Sequence, residues 1–108
     1  MKQTKELPEI VPPEETLIFA AEMGGAPSID LHGDFVDVAL TRLDEFLHQQ
    51  FLRGSEVIKI IHGRGTGKLR RAIHVWLKKQ ELVRYFRDSQ APTQQGGVTL
   101  AVLHHREG

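Results

Sequence analysis

Two short stretches carry groups whose types and spacing could do chemistry. Asp30 and His32 lie two residues apart in Ile29-Asp30-Leu31-His32-Gly33, and His62 opens His62-Gly63-Arg64-Gly65-Thr66-Gly67-Lys68. Residues two apart on a strand share a face, so Asp30 and His32 point together while Leu31 points away. A carboxylate beside an imidazole fixes its tautomer and raises its basicity, which is what a general base requires. Gly63, Gly65 and Gly67 stand between an apolar run, Val57 to Ile61, and a helical pattern. Strand, glycine-rich loop and helix start together present backbone N–H groups and a positive helix end to an anion. His62, Arg64 and Lys68 add to that. The chemistry in view is proton transfer beside a bound phosphate.

Two familiar phosphate loops are excluded. A Walker A loop needs glycine where His62 stands, and Ser or Thr where Leu69 stands. A dinucleotide fingerprint needs a third glycine at the position of Lys68. Plainer alternatives remain: a glycine-rich turn chosen for its backbone angles, and an Asp30 that only caps a turn. Asp30, His32 and His62 could also ligate zinc or a harder divalent ion. No tight ligand spacing such as HExxH accompanies them, so no metal ligand set is assigned. The sequence requires no cofactor, and a divalent metal stays an option. His48 reads as solvent-facing and His74 as a surface or boundary residue. His104 and His105 are a weak metal signal.

The elements that must position these groups follow from periodicity. Ser28 to His32 reads as a strand ended by Gly33. Asp34 suits an N-cap, and Val36, Ala39, Leu40, Leu43, Phe46, Leu47 and Phe51 give a helix over 35–53 one apolar face. Val57 to Ile61 suits a central strand. A second helix over 67–79 buries Leu69, Ala72, Ile73, Trp76 and Leu77. A short strand over 83–86, a polar loop over 88–97 expected to be mobile, and a buried strand over 98–103 complete the order β-α-β-α-β-β. That predicts an α/β (α+β two-layer) sandwich with a four-stranded mixed sheet and two helices on one face. Residues 1–27 read as an N-terminal arm, partly disordered up to about Pro13, with a short helix over 14–23. Residues 28–105 form the domain and 106–108 a tail.

The chain has 108 residues, no cysteine and a formal net charge of zero. One domain without disulfides is expected, with the cytoplasm as the default location. No apolar run is long enough for a membrane helix. The zero charge hides an asymmetry. Residues 1–27 carry a net −3 and residues 28–108 a net +3; residues 62–87 hold eight Lys or Arg against Glu81 alone. Arg70, Arg71, Lys78 and Lys79, following the loop, are candidates to grip the phosphates of a nucleic acid. With one Trp and one Tyr, and no aromatic evident near the loop, base stacking is expected to be minor.

The stretch 29–33, the stretch 61–69, and the later Gly96-Gly97-Val98-Thr99-Leu100-Ala101-Val102 together resemble the Smr (small MutS-related) domain over about residues 28–104. The resemblance implies a fold similar to the C-terminal domain of bacterial translation initiation factor three. It also implies endonuclease activity: nicking of DNA in MutS-related proteins, cleavage of RNA, including messenger RNA on stalled ribosomes, in stand-alone members. The family's Asp-Leu-His motif falls on Asp30, Leu31 and His32, and its His-Gly-x-Gly motif on His62, Gly63, Arg64 and Gly65. Ile29 stands where members often have Leu. His32 is similar to stand-alone members, since some MutS-linked ones have Arg there. No ATPase or mismatch-binding region is expected in this chain. Partners implied are RNA or DNA, with a ribosome or repair complex as the body that delivers it.

Overall fold

The structure, a computed structural model, describes residues 12–106. The elements are α1 (Pro13–Gly24), β1 (Ser28–Asp30), α2 (Val36–Arg53), β2 (Val57–Ile61), α3 (Lys68–Lys78), β3 (Val83–Asp88) and β4 (Val98–Leu103). The sheet order is β1-β2-β4-β3. β1 runs parallel to β2, and β4 runs antiparallel to both β2 and β3. This is the expected mixed four-stranded α+β fold. The expected path of the first eleven residues lies outside the described residues.

Alternation along the strands decides what each face binds. Ile58 and Ile60 of β2 and Ala101 and Leu103 of β4 face α2 and α3, where Leu43, Leu47, Ile73 and Leu77 close the main core. Val57, Leu100 and Val102 point to the opposite face. α1 covers that face with Ile18 and Ala21, which makes a partial third layer beside the two-layer sandwich and buries β4 on both sides.

α1 is also held by charge. Glu14 pairs with Arg84 at 2.7 Å, and Glu15 with Arg87 at 2.8 Å and with the Tyr85 hydroxyl. Glu22 pairs with Arg87 at 3.1 Å and accepts from the Ser89 hydroxyl and the Gln90 N–H. The sequence's charge asymmetry is thus partly internal: the acidic helix neutralises two of the eight cations in residues 62–87.

Several details differ from expectation: β1 stops at Asp30 rather than His32, and β3 runs on to Asp88 rather than Phe86. The N-cap of α2 is Phe35, not Asp34, because Arg42 takes the Asp34 carboxylate at 2.6 Å. The loop after β3 is threaded with bonds rather than loose. Ser89 donates its N–H to Val98 O, its hydroxyl oxygen lies 2.8 Å from the Gln94 side-chain amide, Gly97 N–H donates to Gln94 O, and Arg64 reaches Gln95 O at 2.9 Å.

Ile18 is fully buried and Phe19, beside it, is 62% exposed. Ile18→Ala should therefore cost about 2–4 kcal/mol in urea unfolding, and Phe19→Ala under about 0.5 kcal/mol. Equal costs would mean that α1 is not docked as described.

Candidate functional site

The parallel pairing of β1 with β2 sets Ile29 opposite Ile60 and Asp30 opposite Ile61. The ladder extends one bond further, from Leu31 N–H to Ile61 O at 2.7 Å. Both strands then stop at the same level, and their following turns meet. Gly63, at φ +78°, lies so close to His32 that an added Cβ would stand 3.0 Å from the His32 Cβ. Only glycine fits this position, on both backbone and steric grounds.

Asp30 and His32 come together, although β1 ends at Asp30 and His32 lies in the turn after it rather than on the strand expected over 28–32. His32 Nδ1 lies 2.5 Å from Asp30 Oδ1, and the His32 N–H donates to the same oxygen at 3.1 Å. With Nδ1–H donating, Nε2 carries the free lone pair. The hydrogen bond that His32 donates to Asp30 raises the His32 pKa above the ordinary imidazole value, and the Asp30 pKa is lowered in return. The two side chains are 67% and 53% exposed, so a large substrate can reach them.

His62 goes elsewhere. Its ring is buried, with Nδ1 3.0 Å from Gly63 O and Nε2 2.9 Å from Thr99 Oγ1. A neutral ring must donate from Nδ1 to the carbonyl and accept the Thr99 hydroxyl proton at Nε2. Burial, outweighing the nearby carboxylate, lowers its pKa. Both nitrogens are occupied, so His62 holds the loop's first carbonyl.

The metal trio considered from the sequence does not converge. Among the described residues, the group that could hold an ion is His62 with His74 and Asp88, whose ligand atoms lie within 4.8 Å of one another. Its centre is filled. Thr99 Oγ1 stands 2.9 Å from His62, 2.8 Å from His74 and 3.2 Å from Asp88. The Asp88 carboxylate already takes Arg70 in a two-pronged pair, at 2.9 and 2.5 Å. This is a closed hydrogen-bond network. Burial depresses the His74 pKa; burial also works to raise that of Asp88, but Arg70 overrides it and keeps the carboxylate ionised. His74, expected at the surface, is thus a half-buried member of the network, packed edge-on against Phe86.

In the loop, the His62 and Gly63 N–H groups both donate to Gly97 O at 3.0 Å. Gly63 N–H, expected to face a phosphate, is therefore spent on structure. The N–H groups of Gly65, Thr66 and Gly67 have no backbone acceptor in the described network. Gly67 is the N-cap of α3 and offers no side-chain cap, and the first turn holds no acid. Cations at a positive helix end are unfavourable without an anion between them, and Lys68, Arg70 and Arg71 all stand there. Arg70 is committed to Asp88. Arg64 keeps its Nε on Gln95 O, with its stem against Gly96 and Gly97. Among the described residues, Lys68, Arg71, Lys78 and Lys79 form no ion pair.

Between the start of α2 and the loop lies a cleft of about 250 Å³, walled by Gly33 to Val36 on one side and His62 to Arg70 on the other. Asp88, Thr99 and His74 were not legible as site residues. Asp88 looked like the start of a polar loop and Thr99 like a strand position. Phe35, the first residue of the helix expected over 35–53, lies on the cleft rim.

Residues 29–104 match the family model described as Smr domain. An endonuclease MutS2 of Maridesulfovibrio salexigens is 46% identical over 69 residues, 64% of this chain and 9% of that protein. The endonuclease MutS2 of Aquifex aeolicus is 36% identical over 80 residues, 74% of this chain and 10% of that protein. The chain thus spans about a tenth of the length of these curated relatives. The crystal structure of the Smr domain of Thermus thermophilus MutS2 superposes with a TM-score of 0.69 at 34% identity, covering 72% of this chain and 98% of that one. YdaL, a stand-alone small MutS-related protein from Escherichia coli, shares the fold with a TM-score of 0.70 at 20% identity, covering 92% of this chain and 79% of that one. By sequence and by fold, the chain belongs to the Smr domain family.

Proposed function

We propose that this chain is a nucleic-acid endonuclease that cleaves RNA or nicks branched DNA at the junction of β1 and the β2–α3 loop. The observation that carries the reading is the exposed Asp30–His32 pair held against Gly63, at the mouth of a loop with unspent amides. The relatives named endonuclease support the class.

In this reading His32 Nε2 takes a proton from water or from a ribose 2′-OH. The freed oxygen attacks phosphorus, and the bond to the leaving oxygen breaks. The amides of Gly65, Thr66 and Gly67 and the Lys68 ammonium stabilise the charge that develops on the phosphate oxygens. Asp30 holds the His32 tautomer and stabilises the imidazolium. His62 anchors the loop, and the leaving oxygen takes its proton from solvent. Arg64, Arg71, Lys78 and Lys79 bind flanking phosphates, and Arg70 acts through Asp88. A ribosome or a repair complex is the proposed source of substrate, in the cytoplasm. If a divalent ion takes part, the residues that would hold it are Asp30 and a substrate phosphate oxygen. Cleavage in the presence of EDTA decides whether an ion is required.

One observation favours a second reading, a binding module without turnover. With His62 closed off, His32 stands without a second imidazole beside it.

Labelled single-stranded RNA and branched DNA, each with and without EDTA, separate the readings. The nuclease reading predicts cleavage by wild type and a loss of roughly 10²–10⁴-fold in the Asp30→Ala/His32→Ala variant, with binding retained. Salt-sensitive binding by both proteins without cleavage would support the binding module. RNA cleavage that survives EDTA and leaves a cyclic phosphate identifies the 2′-OH as nucleophile.

A base at His32 must be deprotonated to act. The rate should therefore rise with pH through a limb lying above the ordinary imidazole value. Asp30→Asn replaces the charged acceptor that raises this pKa with a neutral one, so the limb should move to lower pH. A limb that stays in place in that variant would show that His32 is not the titrating group.

Gly63 supplies a third test. Gly63→Ala should lower activity by on the order of a hundredfold through displacement of His32, and cost about 1–2 kcal/mol of stability. Gly54→Ala, at φ +82° with open space around it, should cost similar stability and leave activity intact.

A further inference from the structure

Phe35 is the most exposed large apolar side chain among the described residues, at 82%. It does not ride on a loose segment. The Asp34 N–H donates to Leu31 O at 3.0 Å, and the Phe35 carbonyl accepts the Ala39 N–H at 2.9 Å. Arg42 ties the Asp34 carboxylate at 2.6 Å and the Asp30 carbonyl at 3.3 Å. The backbone under the ring is therefore pinned, yet the ring forgoes the burial that a phenylalanine ordinarily gains. Val38, one turn on, is also largely exposed and widens the apolar strip.

The position of the ring gives it a use. Phe35 and Gly33 form one wall of the cleft whose other wall holds Gly65, Thr66 and Lys68. A volume of about 250 Å³ falls below the roughly 300–1,000 Å³ of pockets that enclose a whole small ligand. It suits one unit of a longer chain. That unit needs a flat apolar face for the ring and an anion for the loop, which is the description of a nucleotide.

We infer that Phe35 is the stacking surface of a base subsite, on which an unpaired base lies while its phosphate reaches the loop amides and Lys68. The inference rests on the nucleic-acid reading above and adds a substrate feature: the nucleotide at the cleft is out of its duplex. A base stacked between neighbours has no face to offer Phe35, whereas a single strand does. It also reverses the expectation that base stacking is minor here.

The test is fluorescence anisotropy of the intact chain with three labelled strands of equal length: oligouridylate RNA, oligothymidylate DNA, and a fully abasic DNA strand. Wild type should bind the base-bearing strands more tightly than the abasic one by roughly five- to a hundredfold. Phe35→Ala should lose that factor on base-bearing strands, bind the abasic strand unchanged and keep its melting temperature. Phe35→Trp should restore the factor. Loss on RNA alone would assign the subsite to ribose-bearing strands, and equal loss on both to the base by itself. Phe35→Ala binding like wild type, or weakening equally on the abasic strand, overturns the subsite. Failure of wild type to bind any strand overturns the nucleic-acid reading as well. Base-dependent binding without cleavage leaves the subsite standing and removes only the nuclease reading.

Discussion

The contact on which the site depends is the approach of Gly63 to His32. It is possible because two parallel strands end level and the second turns through a left-handed glycine. It is fixed because the Gly97 carbonyl, at the mouth of β4, takes the N–H groups of both His62 and Gly63. Three strand ends are thereby tied at one point. β2 is flanked by a parallel strand on one side and an antiparallel one on the other, and the crevice outside the carboxyl ends of parallel strands is where α/β sheets collect ligands.

Beneath that point lies a polar support that the core would not tolerate unsatisfied. His62, Thr99, His74, Asp88 and Arg70 form one chain of contacts from β2 through β4 to β3 and α3. The network gives the loop a fixed anchor and removes Arg70 from the pool of free cations. α1 removes Arg84 and Arg87 on the far face. Of the eight cations in residues 62–87, that leaves Arg64, Lys68, Arg71, Lys78 and Lys79 without an ion pair among the described residues, on the loop and along α3 to its end. In a chain of zero formal charge, internal pairing thus leaves a run of unpaired cations on the loop and α3.

Local patterns were legible in the sequence and long-range partners were not. Apolar periodicity placed every element, because 3.6- and 2-residue repeats record which face is buried. Asp30 and His32 are expected together as neighbours on one strand; they do meet, but through the turn after β1, where the His32 N–H and ring both reach the Asp30 carboxylate. For His62 the sequence leaves two roles open, proton donor to the leaving oxygen or anchor of the loop, and the structure places it as the anchor. Its true partner, Thr99, is 37 residues away and lies one strand over in the sheet, and no local pattern encodes that. The Asp34 cap failed for the same reason: Arg42, eight residues on, outcompetes the helix amide for the carboxylate. The exposure of Phe35 has no local signal, because a single aromatic at a helix start is buried or exposed according to the turn before it.

The most direct test of the claim that the Asp30–His32 pair and the loop serve one phosphate is an NMR titration of the His32 imidazole. It would be made on the free chain and with a non-cleavable 2′-O-methyl RNA strand bound. The account predicts a pKa above the ordinary imidazole value in the free chain, rising further with the strand as the phosphate stabilises the imidazolium, while the amides of Gly65 and Gly67 shift together with it. A His32 pKa unmoved by a strand that shifts those amides would place the phosphate away from the pair and contradict the account.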